Sequence, residues 1–92
     1  MQVRWTPAAA DDLENIANFL FEKTPEHAAH LVREIYGAAL RLKGFPNRGR
    51  EGKKEGTREL VMTSLPYILV YRVQSETVSV LRVLHGSQEW PR

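Results

Sequence analysis

Two Thr-Pro dipeptides, Thr6-Pro7 and Thr24-Pro25, each followed by apolar residues at three-and-four spacing, constrain this chain more than any other feature in it. A threonine ahead of a helix offers its oxygen to an unsatisfied backbone N–H, and proline at the first helical position lacks an N–H that would have no partner there. Behind the first pair, Leu13, Ile16, Ala17, Leu20 and Phe21 form one apolar stripe. Behind the second, Ala28, Leu31, Val32, Ile35, Ala38, Ala39 and Leu42 form another, and Gly44 supplies a stop. A connection this short makes the two helices an antiparallel hairpin.

The rest of the chain reads as strand. Val3 and Trp5 alternate with Gln2 and Arg4, and residues 57–63, 67–73 and 77–85 are rich in Val, Leu, Ile, Thr and Tyr. The linkers Ser64-Leu65-Pro66 and Gln74-Ser75-Glu76 are short enough to close hairpins, so the last three strands form an antiparallel meander. Residues 45–56, full of Gly, Pro, Asn and charge without periodicity, predict an exposed, flexible loop, and the tail 86–92 is too short and broken for another helix. The order β-α-α-β-β-β predicts an α+β fold, a helical hairpin on one face of a small antiparallel sheet, as a single domain over residues 1–92.

Composition narrows the chemistry. With 92 residues there is room for one core, and 42% hydrophobic with 26% charged residues fits a folded chain rather than a disordered one. The absence of cysteine excludes disulfides, thiolate metal sites and a cysteine nucleophile, and three scattered histidines make zinc unexpected, so no cofactor is expected. No basic-then-apolar leader is visible and no apolar run could span a bilayer, from which a cytoplasmic location without membrane association is expected.

The net charge of +2 hides a segregation. Seven of thirteen basic residues fall in Arg41, Lys43, Arg48, Arg50, Lys53, Lys54 and Arg58, while six of eleven acids lie between Asp11 and Glu34. Such a basic run is either a solvated face, since Glu51 and Glu55 interrupt it, or the docking surface of an acidic partner.

No phosphate-binding glycine loop, metal-ligand spacing or nucleophile elbow is present. Arg58, Arg72 and Arg82 each sit among apolar residues of a strand, where a guanidinium either meets an anion from the open face or satisfies internal carboxylates and carbonyls. His85, ending the last strand, suits an acid, a base, a phosphate contact or a capping role. Trp90 suits either stacking on a partner or folding back on its own core. Tyr67 and Tyr71 share a strand face and are read as packing, and His27 and His30 receive no role.

The runs Gly56-Thr57-Arg58-Glu59-Leu60-Val61, Tyr67-Ile68-Leu69-Val70-Tyr71-Arg72-Val73 and Val78-Ser79-Val80-Leu81-Arg82-Val83-Leu84-His85-Gly86 resemble the sheet of the RelE/ParE toxins, also called plasmid stabilisation proteins. Thr6-Pro7-Ala8-Ala9-Ala10-Asp11-Asp12-Leu13 with Ile16 is similar to that family's first helix, so the likeness spans nearly the whole chain. It implies a growth-inhibiting toxin of a type II toxin-antitoxin pair, held in a hetero-oligomeric complex by a cognate antitoxin that folds as it wraps the toxin.

The family divides by target. Ribosome-dependent messenger RNA nucleases of the RelE type place basic residues where this chain has Glu59, Val61, Ile68 and, near Gly86, Gln88. Cleavage through a 2′-hydroxyl needs a base, an acid and cationic stabilisation, none of which Ile68 supplies. The ParE branch, similar to this chain in its first helix and in Leu84-His85 followed by Glu89, poisons DNA gyrase and needs no catalytic set. The resemblance therefore points to a gyrase-binding toxin whose target surface includes Arg58, Arg72, Arg82, His85 and Trp90. The alternatives are a ribosome-dependent endoribonuclease built from Arg58, Arg82 and His85, and a degenerate toxin that only binds antitoxin. Arg48, Arg50, Lys53 and Lys54 are the expected counterpart of an acidic antitoxin.

Overall fold

In the computed structural model, which describes residues 1–86, 88 and 90, two helices lie against one face of a five-stranded sheet. The elements are β1 (Gln2–Trp5), α1 (Pro7–Lys23), α2 (Pro25–Arg41), β2 (Arg50–Glu51), β3 (Arg58–Val61), β4 (Tyr67–Gln74) and β5 (Thr77–His85). Their order across the sheet is β1-β5-β4-β3-β2. The meander β3-β4-β5 is antiparallel as the linkers require, but β1 adds to β5 in parallel, so the sheet is mixed. The helix hairpin causes this: two antiparallel helices carry the chain back to where β1 began, and the third strand of the meander then runs beside β1 in the same direction.

The two Thr-Pro starts behave differently. Thr6 Oγ1 accepts from Ala9 N (3.2 Å) and donates to Leu81 O (3.1 Å), so one hydroxyl caps α1 and ties it to β5. Thr24 makes no side-chain cap for α2; its hydroxyl donates back to Leu20 O (3.2 Å), closing α1 instead. A linker of one residue leaves Thr24 serving the helix behind it.

Tyr67, Leu69, Val80 and Val83 face Ala9, Ile35, Ala38 and Ala39 in the main core, and Tyr71 and Val78 pack on Leu42 beside it. The registers Tyr71↔Val80 and Val70↔Arg82 leave Leu81 as an extra residue in β5. That bulge shifts the alternation, so Val78 and Val80 point at the helices before it, and Val83 after it. Arg82 is thereby carried to the opposite side.

β4 and β5 join through the two-residue turn Ser75-Glu76, with φ of 52° and 59°. Both residues occupy the left-handed region that a type I′ hairpin requires and that L side chains disfavour. The double substitution Ser75→Asn, Glu76→Gly is expected to stabilise the fold by roughly 1–2 kcal/mol, read as a higher midpoint in urea; an unchanged midpoint would show that the turn carries no such strain.

The loop after α2 is less free than its composition predicts. Tyr71, fully buried, accepts from Gly49 N through its hydroxyl (2.8 Å) and donates to Pro46 O (2.7 Å). A Cβ at Gly49 would lie 2.8 Å from that ring and 2.9 Å from Glu59 O, so only glycine fits there. Beyond it, Arg50 and Glu51 pair with Glu59 and Arg58 as β2, a strand the sequence pattern does not announce.

Candidate functional site

On the helix-free face of the sheet, β-pairing brings Arg4, Ser79 and Arg72 into one row across β1, β5 and β4. Neither Arg4 nor Arg72 has an ion-pair or hydrogen-bond partner among the described residues, so both guanidiniums are available to an anionic surface. Sequence spacing singled out Arg72 but not Arg4, because the parallel pairing that aligns Arg4 with Ser79 is invisible until β1 is placed.

The other two strand arginines are held within the fold. Arg58 shares the helix-facing side of β3 with Leu60, opposite Tyr71, and donates to Gly49 O (2.7 Å) and Asn47 O (3.3 Å). Arg82 donates to both carboxylate oxygens of Asp12, from Nε at 2.7 Å and Nη2 at 3.0 Å. Asp12 also accepts from Val83 N (2.9 Å). β1 stops at Trp5, so β5 would have an unpaired N–H at Val83, and the α1 carboxylate takes the place of the missing strand. The hydrogen bond to Asp12 holds the Arg82 guanidinium above its ordinary range, fixing its positive charge.

His85 sits opposite Tyr67 at the far end of β4, its ring edge-on to the phenol at 6.0 Å between centroids, and its backbone N–H donates to Gln88 Oε1 (2.6 Å). Burial pushes the Tyr67 phenol up, so it stays protonated at neutral pH. Arg58 lies opposite Tyr71, four residues along β4 from Tyr67, which separates it from His85 by about 13 Å along the strand direction alone. These three residues do not converge on one point.

Trp90 and Gln88 border a cavity of about 100 Å³ over Ile68, Val70 and Leu84 on the helix-free face, with Arg50, Lys53 and Glu59 at its other side. Glu89 lies outside the described residues. Glu59 is buried and holds the basic segment down: Oε1 accepts from Arg50 Nε (3.2 Å) and Nη2 (2.9 Å), and Oε2 from Lys53 N (3.3 Å). Arg50 is therefore paired with Glu59 although its side chain stays exposed, and Arg48, Lys53 and Lys54 are exposed as well. Among the described residues no three His, Cys, Asp or Glu side chains lie close enough to hold a metal ion, and no helix is long and apolar enough to cross a membrane.

The family model for the ParE toxin of the type II toxin-antitoxin system parDE matches residues 3–90. The chain belongs to that family. Within it, the ParE-like chain is 38% identical over 91 residues to the putative toxin Y4kP of Sinorhizobium fredii (strain NBRC 101917 / NGR234), covering 99% of this chain and 94% of that protein. It is 32% identical over 87 residues to toxin RelE2 of Caulobacter vibrioides (strain ATCC 19089 / CIP 103742 / CB 15), covering 95% and 97%. Among solved structures, the chromosomal ParDE toxin-antitoxin system from P. aeruginosa superposes with a TM-score of 0.85 at 28% identity, covering 92% of this chain and 95% of that one. The toxin-antitoxin complex RelBE2 from Mycobacterium tuberculosis gives 0.61 at 31% identity, covering 91% and 95%. This ParE-family chain is thus a type II toxin by family and by fold.

Proposed function

We propose that this toxin arrests growth by binding DNA gyrase and stabilising its cleaved DNA complex, and that a cognate antitoxin neutralises it. The observation that carries the reading is the backbone: at nearly equal coverage and identity, the likeness to the ParDE structure exceeds that to RelBE2, 0.85 against 0.61 in TM-score. The scattering of Arg58, Arg82 and His85 supports it further. A nuclease needs base, acid and cation around one phosphate, whereas two of these side chains are spent on Asp12 and on loop carbonyls. A binding toxin needs only a surface, and the row of Arg4 and Arg72 on the helix-free face, with Trp90 on the same face, provides cationic and aromatic groups for one, while His85 lies on the helix side beside Tyr67.

The test is purified toxin incubated with gyrase, ATP and supercoiled plasmid. Accumulation of linear, protein-linked DNA is expected. Unaltered gyrase turnover, with codon-positioned cuts in messenger RNA on purified ribosomes, would establish the nuclease reading instead.

Antitoxin binding is supported by the solved relatives, which come from toxin-antitoxin systems. Arg48, Lys53 and Lys54 present the charge an acidic partner would follow in, with Arg50 bracing the turn through Glu59. Reversing Lys53 and Lys54 to Glu is expected to slow association by about ten-fold at low ionic strength, with little change in melting temperature. Equal association rates for variant and parent would remove these lysines from the encounter surface.

A further inference from the structure

The helix-free face of the sheet changes character along its strands. At the end bounded by the β4–β5 turn, the registers align Gln2, Thr77 and Gln74 in one row and Arg4, Ser79 and Arg72 in the next. All six side chains can donate a hydrogen bond, none is acidic and none is apolar. Further along, Arg82 is held by Asp12 and Arg50 by Glu59, and Ile68, Val70 and Leu84 form an apolar floor bordered by Trp90.

Within the donor-rich end, neither arginine nor the Ser79 hydroxyl has a hydrogen-bond or ion-pair partner among the described residues. Arg4 is exposed and Arg72 half-buried. Arg72 is laid toward β3: its Nε is 3.8 Å from where a Cβ on Gly56 would stand. Two strand intervals, about 10 Å, separate the Cα atoms of Arg4 and Arg72. A pair spread in this way does not close around one phosphate. It matches a polyanion laid across the strands, whose charges repeat along a line. A protein surface fits this end less well, because the centre of a protein interface is built on apolar and aromatic anchors, which these six residues lack.

We propose that the row Arg4-Ser79-Arg72 grips the phosphate backbone of the DNA held by gyrase, so that the toxin contacts DNA as well as enzyme in the cleaved complex. The inference rests on the gyrase reading and divides the face, DNA taking the donor-rich end and the enzyme the apolar end beside Trp90. Each guanidinium takes two oxygens of a phosphate, and the Ser79 hydroxyl and the Gln2 and Gln74 amides donate to phosphate or sugar beside them. None of these contacts reads a base, so the grip is independent of sequence, and two charges alone hold free DNA only weakly. The row stands about 13 Å along β4 from Ile68, a position where ribosome-dependent nucleases carry a basic residue, and so is separate from the place of a nuclease site.

Toxin affinity is measured for gyrase alone and for gyrase bound to a linear duplex, over a range of potassium chloride concentrations, with the parent and with the double variant Arg4→Gln, Arg72→Gln. Both guanidiniums lack partners in the fold, so the melting temperature should stay with that of the parent. The variant is expected to bind the gyrase–DNA complex at least about ten-fold more weakly, with a slope of log affinity against log salt shallower by about 2. Its affinity for gyrase alone should be unchanged. In a second measurement, Ser79→Cys gives a chain without cysteine a single thiol, to which a photoreactive aryl azide is attached. In the complex this probe should label a DNA strand. Full affinity of the double variant for gyrase–DNA, equal weakening with and without DNA, or label found only on gyrase polypeptide would overturn the DNA contact and leave gyrase as the target. Failure of the parent toxin to bind gyrase in either form would remove both readings.

Discussion

Replacing Tyr71 by Phe is expected to destabilise the fold by about 2–3 kcal/mol, and so to lower the melting temperature by roughly 10 °C or more in a domain of this size. The ring stays and so does its packing against Leu42 and Val78. What is lost is one oxygen that holds the loop at two points, accepting from Gly49 N and donating to Pro46 O. Gly49 is buried, so its N–H would be left without water or protein to accept it. The loss should spread beyond stability, because the anchored loop carries Arg48 and leads into β2, whose Arg50 is bound to Glu59. Faster amide exchange across residues 45–52 would accompany the lower midpoint. A Tyr71→Phe protein melting with the parent would show that the loop is held by something other than this hydroxyl.

Asp12→Ala is expected to cost about 2–3 kcal/mol, and Arg82→Ala no more than about 1 kcal/mol. The asymmetry follows from geometry. Removing Asp12 strips Val83 N of its acceptor and leaves Arg82 without its carboxylate, at the point where β5 outruns β1. Removing Arg82 leaves Asp12 on Val83 N, and the lost pair is a third exposed on the arginine side, where water replaces part of it. Urea unfolding of the two variants measures the ordering, and equal losses would mean that the ion pair, rather than the substitution for a missing strand, holds α1 to β5. The same Arg82→Ala protein separates the functional readings. A gyrase-directed toxin should keep most of its toxicity without Arg82, whereas a nuclease relying on that guanidinium should lose it by orders of magnitude.

Much of this architecture was legible in the sequence because its signals are local. Helix stripes, the Thr6 cap and the strand runs depend on residues a few positions apart, and the likeness in residues 56–86 carried the family. What escaped depends on distant pairings. The role of Tyr71 spans 22 residues to Gly49, and that of Asp12 spans 71 to Val83. No local pattern marks either as more than a packed aromatic or a helix-surface acid. The bulge at Leu81 hides in an apolar run, so plain alternation assigns Arg82 to the wrong side of the sheet. A two-residue strand such as β2 has no periodicity to detect, and its partner, the buried Glu59, stands out in the sequence only as a place where a nuclease would carry a basic residue.

The central claim, a toxin that acts on gyrase, is tested most directly by expressing the protein without its antitoxin and following DNA breakage and messenger RNA integrity in the same cells. The account predicts double-strand breaks and an SOS response while messages remain whole. Codon-positioned cuts in messages with undamaged DNA would contradict it.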